Sequence, residues 1–147
     1  MIADARLNPE AVELGPFLRR PSQEVWRALT DPEMLARWLL RPIGFAAWAG
    51  NRFRFVVPGV STDHVLCEVL AAQPCARLTY SWTHPQGAHP DHWIVDWELR
   101  PEGHGTRLLL TQTGFDPADR RQRMVRNAVE RSWKRRILPR LDEIVHS

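Results

Sequence analysis

The sequence predicts an α+β protein in which a curved antiparallel sheet wraps around one long C-terminal helix, and three observations carry that expectation. In 116–147, Val125, Val129, Trp133, Ile137, Leu141 and Val145 recur every four positions, with Met124, Ala128, Leu138 and Ile144 beside them, giving a broad apolar stripe. Four-residue spacing overshoots the 3.6-residue turn, so the stripe winds around the helix and suits a curved partner surface. Upstream, 77–83 sets Leu78, Tyr80 and Trp82 against Thr79, Ser81 and Thr83, and 92–100 sets Trp93, Val95, Trp97 and Leu99 against His92, Ile94, Asp96 and Glu98. That alternation belongs to strands with one apolar face. Short turn-forming links, Pro74-Cys75-Ala76 and Pro101-Glu102-Gly103-His104-Gly105, make the sheet antiparallel and leave that face for the helix.

Each element has a local reason. Residues 1–10 show no period and read as a loose arm. The run 12–20 is an edge strand with a bulge at Gly15-Pro16. Ser22 is placed to cap a short helix over 23–29 that buries Val25, Trp26 and Leu29. Thr30-Asp31-Pro32 repeats the cap-then-proline signal and starts a second helix to about 39, with Met34, Leu35, Trp38 and Leu39 inward. The stretches 45–48 and 52–57 read as two strands joined at Gly50-Asn51, a pair that tolerates positive φ. A strand over 64–71 and a last strand over 106–113 complete the sheet. Asp116-Pro117 signals the start of the long helix, and Pro139, lacking an N–H and crowding the carbonyl of Arg135, predicts a kink near 135–138.

A length of 147 residues suits one domain, 1–147, with a core that requires no disulfide or metal. Seven Trp against one Tyr mean that indoles dominate the interior. With no early apolar run and no stretch near the roughly 18 residues of a membrane span, the expected location is cytoplasmic and no membrane partner is expected. Cys67 and Cys75 fit no zinc or redox spacing and read as packing residues. The net charge is +3, and 116–147 holds nine basic side chains, but these scatter around the helix and form no stripe, so no nucleic acid partner is expected.

The order of motifs resembles the START-like (SRPBCC) helix-grip superfamily, in particular the bacterial relatives of the C-terminal domain of Aha-type co-chaperones. The resemblance covers nearly the whole chain. It rests on Val25-Trp26, Thr30-Asp31-Pro32-Glu33 with Trp38, Gly50-x-x-Phe53-x-Phe55, Arg77-Leu78-x-Tyr80-x-Trp82, Gly105-Thr106-x-Leu108, and Trp133 with Leu141. Asn51 and Ser132 stand where Gly is usual. What the resemblance implies is a sheet gripping the long helix, with a cavity between them that in many relatives holds an apolar ligand.

The residues expected to line such a cavity are Phe53, Phe55, Tyr80, Trp82, Trp93, Trp97, Val129 and Trp133. Large aromatics of roughly 150–250 Å² each could equally fill the space, so a closed core and an open pocket both stand at this stage. His84, His89 and His92 beside Asp91 have the residue types of a zinc site, but no spacing rule makes them converge. Asp96 and Glu98 share a strand face and read as solvated carboxylates. No phosphate loop, nucleophile elbow or zinc-protease helix is present, so no catalytic residue, metal or cofactor is assigned. Three functions remain open: non-enzymatic binding of a small apolar or aromatic ligand, a co-chaperone-like module with a chaperone or other protein partner, and an enzyme of cyclase or hydratase type. Inward Asp, Glu or His would favour the enzyme, and a closed core with an exposed apolar patch the interaction module.

Overall fold

The structure, a computed structural model, describes residues 10–59, 64–85 and 91–147. Two short strands, β1 (Ala11–Leu14) and β2 (Phe17–Leu18), precede the helices α1 (Ser22–Thr30) and α2 (Pro32–Trp38). Six strands follow: β3 (Arg41–Ile43), β4 (Arg52–Val56), β5 (His64–Gln73), β6 (Arg77–His84), β7 (Asp91–Glu102) and β8 (Gly105–Thr113). A continuous helical rod closes the chain as α3 (Arg120–Ser132), a π-helical turn (Trp133–Ile137) and α4 (Leu138–Val145). The strand order is β1-β8-β7-β6-β5-β4-β3 with every pair antiparallel, and β2 also pairs with β8. The α+β class, the curved antiparallel sheet and the long C-terminal helix are as the sequence predicts.

The alternation sets the two faces of the sheet. Trp93, Val95, Trp97 and Leu99 are buried along β7, with Leu78 and Tyr80 from β6 and Leu108, Leu110 and Gln112 from β8 on the same side. On the outer face Arg77 reaches Glu98 at 2.8 Å and Asp96 at 3.5 Å, and Arg100 reaches Glu98 at 2.6 Å. The hydrogen bond from Arg100 holds the Glu98 carboxyl below the usual carboxylate range. These carboxylates therefore belong to a surface charge network away from the core.

Gly15-Pro16 splits β1 from β2, and the Pro16 carbonyl still accepts from Leu108 N at 2.9 Å, as expected of a bulged edge. Gly105-Thr106 follows from close packing: a Cβ on Gly105 would lie 2.5 Å from the Leu18 carbonyl, and Thr106, fully buried, donates to the Arg20 carbonyl at 2.8 Å. Trp38 donates its indole N–H to the Ala28 carbonyl at 2.8 Å and stacks edge-on to Trp97 at 5.8 Å. The α1–α2 pair is thereby locked to the sheet.

Several local expectations differ from the structure. Residues 45–48 form a loop, and the strand before β4 is Arg41–Ile43, on the sheet edge where the missing N–H of Pro42 costs little. Asn51 does not adopt positive φ: its side chain accepts from Ala46 N and donates to the Gly44 carbonyl, tying that loop shut. Ser22 sits inside the first turn of α1 and meets Thr106 Oγ1 at 3.1 Å, so it caps nothing. The long helix starts at Arg120, not at 117, because Asp116 spends its carboxylate on a local turn to Ala118 N and Asp119 takes the cap, accepting from Arg121 N. Met124 and Ala128 lie outside the buried stripe, and Met124 is 63% exposed. Where the sequence predicts a kink, the helix widens into one π turn before Pro139, in which Leu138 N bonds the Trp133 carbonyl.

Cys67 is buried, and burial pushes its thiol well above the ordinary range, whereas Cys75 is half-buried in the β5–β6 turn at φ 63°. In the native protein at pH 8, a thiol reagent is expected to label Cys75 at least about tenfold faster than Cys67. Equal rates, followed by mass spectrometry of the labelled peptides, would contradict the burial of Cys67.

Candidate functional site

A cavity forms where the helical rod stands away from the sheet. α4 packs closely through buried Leu138, Leu141 and Val145, and it contacts both α1 and α2. α3 is pinned at two edges. Arg121 pairs with Asp91 at 2.8 Å, and buried Arg126 donates through Nε to the Ala11 carbonyl at 2.9 Å and through its terminal nitrogens to Asn127 and Glu130. Between those ties Val125 and Val129 remain only half-buried, although they lie on the apolar stripe.

The space left beneath has a volume of about 590 Å³. Trp82, Trp93 and Gln112 form its floor, and Leu39, Leu40 and Pro58 close one side. Its roof is Val129, Ser132, Trp133, Arg136, Ile137 and Arg140. The π turn supplies Trp133, Arg136 and Ile137, so the widened turn that accommodates Pro139 also builds the roof. The polar groups are arranged by the indoles. Trp133 donates to Gln112 Oε1 at 2.8 Å, and Trp82 donates to His84 Nε2 at 3.1 Å. In its neutral form His84 therefore carries its proton on Nδ1.

Of the eight residues expected at the cavity, Trp82, Trp93, Val129 and Trp133 lie on it. Phe53, Phe55, Tyr80 and Trp97 lie in the packed core beside it, linked edge-to-face at 5.3 Å between Phe53 and Phe55 and 5.6 Å between Phe53 and Tyr80. Trp97 donates to the Tyr80 hydroxyl at 3.0 Å and meets Trp133 edge-on at 5.4 Å. Burial pushes the Tyr80 phenol far above its ordinary value, so it stays neutral. The aromatic set is thus divided, with one part filling the interior and the other walling the cavity.

The strand register separates the histidines. Trp82 faces Trp93 across the ladder, so His84 and Asp91 lie on the inner side, while His92, opposite Thr83, lies on the outer side and meets Thr83 Oγ1 at 2.7 Å. No site holds both His84 and His92, and His89 falls outside the described residues. Among the described residues no carboxylate lines the cavity, and no lining nucleophile is hydrogen-bonded to a base.

His84, Gln112, Arg136 and Arg140 are lining residues that the sequence reasoning missed. Parity could have found two of them, since His84 follows Trp82 by two positions and Gln112 follows Leu108 and Leu110 in alternation. The two arginines had no such signal, because the π turn shifts the helix register at that point.

No described helix is long and apolar enough to cross a membrane. No curated protein sequence matches the chain. Among solved structures, a protein of Mesorhizobium loti is 28% identical with a TM-score of 0.81, covering 92% of this chain and 96% of that one. CalU16 from Micromonospora echinospora is 26% identical with a TM-score of 0.73, covering 92% and 75%. A protein of Chromobacterium violaceum shares the fold at 22% identity and a TM-score of 0.78, covering 95% and 99%. The family model described as "Activator of Hsp90 ATPase homolog 1-like protein" matches residues 19–145, from α1 through β3–β8 to the end of the helical rod, and the chain belongs to that family.

Proposed function

We propose that this protein binds a small apolar or aromatic molecule in the cavity between the sheet and the C-terminal helix, without covalent chemistry. The observation that carries the reading is the roughly 590 Å³ space walled by Trp82, Trp93 and Trp133 beside an otherwise close-packed core. Pockets for small organic ligands span roughly 300–1,000 Å³ and combine apolar walls with a few placed polar groups, as here with Gln112 and His84. Three indoles around one space favour a flat occupant, which gains offset or edge contacts with several rings at once.

The neutral dye N-phenyl-1-naphthylamine tests this directly. It is expected to bind saturably at one site per chain, with enhanced dye emission and reduced tryptophan emission. Val129→Phe, which adds volume at the half-buried roof, is expected to weaken binding at least about tenfold while leaving the melting temperature within a few degrees. Val129 suits the experiment because Val95, by contrast, is fully buried in the core. Absence of saturable binding in the wild-type protein would defeat the cavity reading and turn attention to a protein partner.

A further inference from the structure

The polar atoms that the cavity leaves free share one chemical character. Gln112 accepts from Trp133 through its carbonyl, and among the described residues no hydrogen bond engages its amide N–H groups. His84 Nε2 is already accepting from Trp82, which leaves that ring only a donor in its neutral form. Arg136 and Arg140, one helical turn apart on the exposed side of the roof, meet no carboxylate among the described residues. Arg136 has Ser132 Oγ at 3.3 Å as its hydrogen-bond partner. Arg131 and Arg135 line the adjoining groove on the same helix and reinforce the positive potential at the entrance.

A cavity with an aromatic interior, donors at its polar points and two guanidinium groups at its mouth is complementary to an acceptor-bearing anion. We propose that the ligand is a flat aromatic carboxylic acid, its rings between Trp82, Trp93 and Trp133 and its carboxylate at Arg136 and Arg140. This inference rests on the cavity reading above and narrows it. The arginine pair argues for it in a second way. Like charges at i and i+4 on a helix repel, and an anion seated between them removes that repulsion. A neutral hydrocarbon would leave the guanidinium pair unanswered.

Calorimetric titration with matched probes separates the two levels of the reading. The probes are benzoate, 2-naphthoate and 2-anthroate, each compared with its primary amide, which keeps the ring and removes the charge. At least one acid is expected to bind about tenfold tighter than its amide at low salt, with the gap shrinking as salt is added. In Arg136→Gln/Arg140→Gln the acid loses that advantage while the amide keeps its affinity within about twofold, which also shows that the double variant is folded. If acid and amide bind wild-type protein equally, or the variant weakens both alike, the anionic ligand class is overturned and the cavity reading stands. If none of the six compounds binds, and the neutral dye also fails, both fall together.

Discussion

Trp133→Ala is expected to lower the unfolding free energy by about 3–5 kcal/mol, as for a buried large aromatic replaced by a cavity. Trp133 is 3% exposed, packs edge-on to Trp97 at 5.4 Å and donates to Gln112 Oε1 at 2.8 Å. Truncation removes the indole volume, and the space joins a cavity that is already open, so the surroundings have little to collapse onto it. It also strips Gln112, itself buried, of its donor, which adds about 1–3 kcal/mol of unmet polar burial to the cost within that total. Trp133→Phe separates the two contributions, because it restores most of the apolar contact and leaves Gln112 unpaired. Urea denaturation is expected to order the proteins as wild type, Trp133→Phe, Trp133→Ala. A midpoint for Trp133→Ala equal to that of the wild type would mean that the helix does not rest on the sheet through this residue.

Gly114→Ala is expected to cost about 3 kcal/mol, far more than alanine at the other positive-φ glycines. Gly114 joins β8 to the turn before the helix, with φ at 112°, outside the region an L side chain adopts readily. An added Cβ would lie 2.7 Å from the His92 carbonyl and 3.3 Å from the Trp93 Cα, both of them backbone atoms of a central strand that cannot move aside. The residue that follows, Phe115, is buried against Trp93 at 5.1 Å, so displacement there disturbs a wall of the cavity as well as the fold. Gly103→Ala provides the control. Its φ is 60°, and among the described residues nothing lies within 4 Å of the added atom, so only the conformational strain of about 1 kcal/mol applies. Equal losses at the two positions would show that the close approach at Gly114 is absent in solution.

Much of the architecture was legible because it depends on periods shorter than ten residues. Trp93, Val95, Trp97 and Leu99 had to share a face once the segment was a strand, and Trp133, Leu141 and Val145 had to share one once theirs was a helix. Cap chemistry was less legible. Ser22, Asp116 and Asp119 are all competent cap residues, and which of them acts depends on Thr106 lying across the fold from Ser22 and on Asp116 closing a turn of its own. Arg126 illustrates the same limit. By composition it belongs on a solvated face, yet it is 7% exposed because the Ala11 carbonyl, 115 residues away in sequence, receives its N–H.

The sequence by itself determined which faces are apolar, that the strands are antiparallel, and that one long interrupted helix must cover them, since alternation, turn residues and Pro139 act locally. Only the tertiary structure decided how the aromatic side chains are shared between a filled core and an open cavity. That division depends on the height of the helix above the sheet. Leu138, Leu141 and Val145 draw one end of the rod down, while Arg121 and Arg126 tether the other at its edges. These are contacts between distant segments, and no period within either segment encodes the gap they leave.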